Sequence, residues 1–185
     1  MIRPASLFIS ALLITACVQY SLVKPEKIAI GDVYTVNSQI AWNKMTEGKT
    51  EIWTVDGPLL QELRFIKAIE DGDALFKGGA GKKLPPFKSK MTAIEIKELF
   101  ETSLAQFGVA RMRTLNLRPE SFGKVAGFRF EFTYVLKHGL EKQGFALGAV
   151  IDEKLHMIIY TGTRLHYYPK HKDDVERLVR SIRIL

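Results

Sequence analysis

Phe128-Arg129-Phe130-Glu131-Phe132-Thr133-Tyr134 alternates an aromatic ring with a charged or polar side chain at every position. A period of two places all four rings on one side of an extended chain, so the stretch predicts a half-buried strand. Reading onward, Lys137-His138-Gly139 is a turn, and residues 145–151 form a further strand. Gly148 and its alanine neighbours Ala146 and Ala149 leave room there for something that packs closely. Asp152-Glu153-Lys154 turns the chain again, and residues 155–161 are the last long strand. Residues 110–117 supply a strand ahead of the aromatic one. Four strands joined by short turns predict an antiparallel meander.

Before the meander lies a well-specified helix. Thr92 and Glu95 have capping-box spacing, in which hydroxyl and carboxylate satisfy free amides reciprocally. Met91 and Ile96 occupy the staple positions, and Ile96, Leu99, Phe100, Leu104 and Phe107 make one apolar stripe. Gly108 supplies the left-handed residue that ends it. The first part of the chain reads as shorter extended segments at 32–36, 40–43, 50–55 and 63–69, with Trp42 and Trp53 in core or rim positions. The chain closes on a helix predicted from about Asp173. Val175, Leu178, Val179 and Ile182 form its stripe, the two aspartates suit its N-terminal dipole, and Glu176 has the spacing to pair with Arg180. No internal repeat is visible.

The order is strands, helix, four-strand meander, terminal helix. With Gly123 and Gly127 followed by Phe128-Arg129-Phe130-Glu131, and with Val175 and Ser181-Ile182-Arg183-Ile184 at the close, residues 60–185 resemble the PsbP-like fold. The fold class this implies is α+β, an antiparallel sheet with helices packed on its faces as an α/β/α sandwich. That fold hosts photosystem accessory subunits, a nuclear import factor and bacterial lipoproteins. The resemblance therefore implies binding or assembly rather than catalysis, and it transfers no ligand residues.

The first residues give an address. Leu7 to Ile14 is an apolar run of signal-peptide length, too short to span a bilayer, behind the single charge of Arg3. It ends on Ile14-Thr15-Ala16-Cys17, which resembles the lipobox of bacterial lipoprotein precursors. The resemblance implies that Cys17 carries a thioether-linked diacylglycerol and fatty acyl chains such as palmitate, and that residues 1–16 are removed. An uncleaved N-terminal anchor and plain secretion are the rival readings. On the first, residues 17–27 are a lipidated tether and residues 28–185 one domain. Val18, not aspartate, after the cysteine favours the outer membrane, facing the periplasm, in a Gram-negative cell.

Composition narrows the chemistry. Cys17 is the sole cysteine, so no intramolecular disulfide or thiolate metal site forms, and stability rests on an apolar core. The net charge of +7 falls by one unit without Arg3. Such an excess keeps a protein soluble and steers it toward anionic lipid, glycan or acidic protein partners. An export signal argues against nucleic acid. Four histidines, His138, His156, His166 and His171, lack the spacing of zinc motifs. His138 reads as solvated and His156 as structural. No nucleophile elbow occurs, so no catalytic residue, metal or cofactor is expected. An envelope hydrolase acting on glycan or peptide is the alternative; it needs some of His138, His156, Asp71, Asp73 and Glu131 to converge in one pocket.

Two stretches are candidate contact surfaces. Residues 77–90 combine glycine and proline with Lys77, Lys82, Lys83 and Lys88, a loop suited to anionic lipid or glycan. It fails as a phosphate-binding loop, because Phe76 stands where the first glycine belongs. His166, Tyr167, Tyr168, Lys170 and His171 combine aromatic area with positive charge between the last strand and the last helix. The rival reading of that cluster is that Tyr167 or Tyr168 plugs the end of the sheet.

Overall fold

The computed structural model describes residues 20–78 and 83–185. Its order is β1 (Ser21–Val23), β2 (Lys27–Ile30), β3 (Tyr34–Asn37), β4 (Trp42–Glu47), β5 (Thr50–Thr54), β6 (Gln61–Ile69), α1 (Ala93–Ala105), β7 (Ala110–Phe122), β8 (Val125–Val135), β9 (Glu141–Ile151), β10 (Lys154–Thr163), α2 (Tyr167–Arg180) and β11 (Arg183–Ile184). Eight strands form one antiparallel sheet in the order β1-β4-β5-β6-β10-β9-β8-β7. The molecule is α+β, and its β7–β10 meander lies as the alternation predicts. A small second sheet, β11-β3-β2, was not foreseen. It joins residues far apart in sequence: Arg183 pairs with Thr35 and Ile184 with Tyr34.

Each face of the large sheet buries its own core. On one face α2 and the small sheet cover Trp53, Leu63, Phe65, Phe145, Ile158 and Tyr160. On the other, α1 with Leu75, Phe76 and Phe87 covers Phe128, Phe130, Phe132, Met157 and Ile159. The helix α1 begins as predicted, with both halves of the Thr92–Glu95 capping box formed. Gly108 follows it at φ 76°. The small residues of β9 answer to the rings of β8. A Cβ at Gly144 would lie 2.4 Å from Phe132 Cζ, and one at Gly148 would lie 2.7 Å from Phe128 Cζ.

Three expectations need correction. Regular structure begins within the stretch 17–27 expected to be a tether, because Ser21–Val23 pairs with Trp42–Lys44 and Lys27 opens β2. The last helix starts at Tyr167, not Asp173. Pro169 then falls in the first turn, where its missing N–H removes nothing the helix would use. Asp173 and Asp174 consequently sit in mid-helix. Finally, Glu176 pairs with Arg129 on β8 rather than with Arg180.

The sheet has two distinct ends. One carries the β4–β5 turn at Gly48 and Lys49, the exit of β6 at Glu70–Asp73 and the β9–β10 turn at Asp152 and Glu153. The segment 87–89 is fastened there, where Phe87 N–H donates to Asp73 O and Ser89 N–H to Asp71. The opposite end carries the loop 55–60, the turn 136–140 and the turn 164–166.

Candidate functional site

The structure divides the aromatic and basic cluster: the Tyr167 ring meets His166 edge-on at 4.8 Å with Lys170 Nζ 5.6 Å from its centre, whereas Tyr168 and His171 turn inward. Tyr168 is buried and stacks on Tyr160 at 5.4 Å, and the Tyr160 hydroxyl donates to the Tyr168 carbonyl at 2.8 Å. Burial pushes the Tyr168 phenol up to about 12. It closes the end of the sheet rather than facing a partner. Lys170 Nζ lies 2.6 Å from Asp56 Oδ1, and His171 Nε2 lies 3.0 Å from Asp56 Oδ2. Burial raises the Asp56 pKa, but the hydrogen bonds from Lys170 and His171 prevail and hold it below the usual carboxylate range. These three residues tie α2 to the β5–β6 loop. His166, Lys170 and part of Tyr167 stay open, beside Leu165 and Leu59, which are 93% and 79% exposed.

In the basic loop, Lys77 is paired with Glu47 at 3.3 Å. Lys83 and Lys88 are exposed. Lys82 and Cys17 lie outside the described residues.

Asp71 and Asp73 share one turn, but the groups named for hydrolysis are each engaged elsewhere or exposed, and no described pocket is lined by two of them. His138 is exposed in the turn after β8, whereas His156 is buried and its Nδ1 accepts from Ala68 N–H at 3.4 Å. Asp73 is bound to Lys49, Asp71 to Ser89 N–H, and Glu131 to Asn116 and Arg118.

A cleft of about 510 Å³ opens elsewhere, between α1, the segment 76–78 and the sheet. Phe76, Phe100, Leu104 and Phe107 wall it. Its floor is polar: Arg64 Nε and Nη2 donate to the two oxygens of Glu62 at 2.8 and 3.1 Å, with Tyr134 and Thr161 alongside. Burial, with a smaller contribution from the Glu62 charge, pushes the Tyr134 phenol up to about 12. Sequence reading assigned these residues to strands and a helix stripe but not to a common site. Phe107 carries the one visible signal, an aromatic at the end of the α1 stripe that remains 40% exposed.

No protein-family model matches the chain, and no curated protein matches it in sequence. Solved structures do. The solution structure of cyanobacterial PsbP (CyanoP) from Synechocystis sp. PCC 6803 is similar at a TM-score of 0.57 and 12% identity, covering 95% of this chain and 98% of that one. LpqN, involved in cell envelope biogenesis of Mycobacterium tuberculosis, is similar at a TM-score of 0.39 and 8% identity, over 90% of this chain and 84% of that one. The likeness to CyanoP shows that this chain has the PsbP-like fold.

Proposed function

We propose that this chain is a lipid-anchored accessory protein of the bacterial cell envelope, engaging a protein or glycan partner without turning it over. The observation that carries this reading is the lipobox-like Ile14-Thr15-Ala16-Cys17, which ends three residues ahead of Tyr20, where the folded domain is already in place. A disulfide-free domain with a packed core on both sheet faces suits an oxidising compartment. No helix among the described residues is long and apolar enough to cross a membrane. Two or three acyl chains, at ~0.8 kcal/mol per buried methylene, would hold such a domain at a bilayer essentially permanently. The partner surface in this reading is the end of the sheet bearing Leu59, Leu165, His166 and Tyr167.

The test is Cys17→Ser. Expected is loss of radiolabelled palmitate incorporation, with the protein leaving the membrane fraction or persisting as uncleaved precursor. Unchanged labelling and partitioning would remove the anchor and the address with it.

A further inference from the structure

The cleft beside α1 has the dimensions and lining of a ligand site. Its volume of about 510 Å³ falls within the ~300–1,000 Å³ typical of small-molecule pockets. Aromatic and aliphatic walls reward an apolar ligand body at roughly 25 cal/mol for each Å² withdrawn from water. The floor discriminates among head groups. Both Glu62 oxygens are taken by Arg64, so the two charges answer one another. Tyr134 stays a neutral phenol at every physiological pH. A charged head would shed its water and, among the described lining residues, meet no opposite charge without an ion-pair partner, which is costly. A neutral hydroxylated head would instead find donors and acceptors on Tyr134, Thr161 and Arg64.

The surroundings indicate how an apolar chain arrives. Arg64 lies opposite Ile52 and Ile52 opposite Met45, so all three share the face of the cleft. Leu22, paired with Asn43, occupies the same face at the sheet's edge and is 65% exposed. Leu22 and Met45, with Asn43 between them, thus place apolar side chains on this face between β1 and the cleft, whose rim carries the Glu47–Lys77 ion pair.

We propose that this cleft takes the aliphatic chain of a single-chain amphiphile with an uncharged, hydroxyl-bearing head, a monoacylglycerol being the simplest example. The cleft's chemistry does not depend on acylation of Cys17; an anchor would only bring the ligand's source within reach.

The probe is a monoacylglycerol with a diazirine in its chain, presented to the full chain in phosphatidylcholine vesicles and photolysed. Expected labels fall on residues 100–107 and 132–134. Leu104→Trp, which fills the cleft, and Phe107→Ser, at a half-exposed site that tolerates change, should each weaken capture roughly tenfold. The second variant carries the test if the first does not fold. Label confined to residues 20–45, or equal in wild type and Phe107→Ser, overturns the site. A photoreactive fatty acid of the same chain length captured equally well overturns the uncharged head. The Cys17→Ser protein is expected to keep its cleft label, so failure of the anchor and failure of the cleft read out separately.

Discussion

Arg129 sits in an aromatic strand at a position whose alternation points it toward solvent, yet it is only 4% exposed. Its guanidinium lies 3.8 Å over the Phe145 ring and forks onto Glu176 of α2 at 2.9 and 2.5 Å, with Glu120 at 3.3 Å. The alternation made β8 half-buried; α2 buries the other side through this ion pair. Burial works against the Glu176 charge, but the Arg129 hydrogen bond and charge outweigh it and hold the carboxyl below the usual range. A carboxyl depressed in the folded state contributes stability above its unfolded pKa of about 4.3, and that contribution is lost as pH falls through the folded value. Glu176→Gln should leave the guanidinium undercompensated and cost about 3 kcal/mol near neutral pH, lowering Tm by roughly 6–12 °C. Thermal melts at pH 7 and pH 3 measure it. The gap between wild type and variant should narrow at pH 3; a gap that is constant with pH would mean the carboxylate charge is not what matters.

At the scale of elements, the β9–β10 hairpin turns on Asp152 and Glu153 at φ 49° and 61°, closed by the Ile151–Lys154 pair. Two left-handed residues make the mirror-image turn that matches strand twist, normally built from Asn-Gly. An L-residue there carries about 1–2 kcal/mol of strain. Glu153→Gly should therefore stabilise the protein by about 1 kcal/mol and raise Tm by roughly 2–4 °C; an unchanged or lower Tm would locate the strain elsewhere. Elements whose signals are local were legible in the sequence. The Thr92–Glu95 box, the Ile96-to-Leu104 stripe and Gly108 specify α1 within seventeen residues, and the four rings of β8 specify their own strand. The start of α2 was not legible, because His166 to Lys172 has neither a side-chain cap nor an early apolar stripe. It is fixed instead by tertiary bonds, from the Tyr160 hydroxyl and to Asp56. The second sheet was hidden for a similar reason: β11 has two residues, and its pairing spans almost the whole domain. The cleft is more distributed still, since its lining comes from α1, β6, β8, β10 and the segment 76–78.

At the scale of the molecule, the strand that follows Cys17 sets an orientation. Ser21 lies opposite Lys44, and β1 runs against β4, so the chain preceding Ser21 approaches from the end that bears the β4–β5 turn. Four Cα–Cα steps, through Val18, Gln19 and Tyr20, separate Cys17 from Ser21. They span at most ~14 Å even when fully extended. An acylated Cys17 would therefore hold the domain against the headgroups by that end, with Lys88 facing the bilayer and Leu165 at the opposite end facing away. In that orientation Lys88 of the lysine loop would meet lipid, while the turns bearing Leu59 and Leu165, beside the exposed His166 of the aromatic and basic cluster, would be presented to a partner. Lys88→Cys and Leu165→Cys, each labelled with a fluorophore on the vesicle-anchored protein, test this with an energy-transfer acceptor confined to the bilayer. Both positions are exposed, so neither label should disturb the core. Transfer should be clearly stronger from position 88 than from position 165. Lengthening the tether with twenty glycine–serine residues after Val18 should abolish the difference, because a flexible linker of that length reaches roughly 25 Å and lets the domain tumble. Stronger transfer from position 165, or a difference that survives the longer tether, would show that something other than the short connection orients the domain.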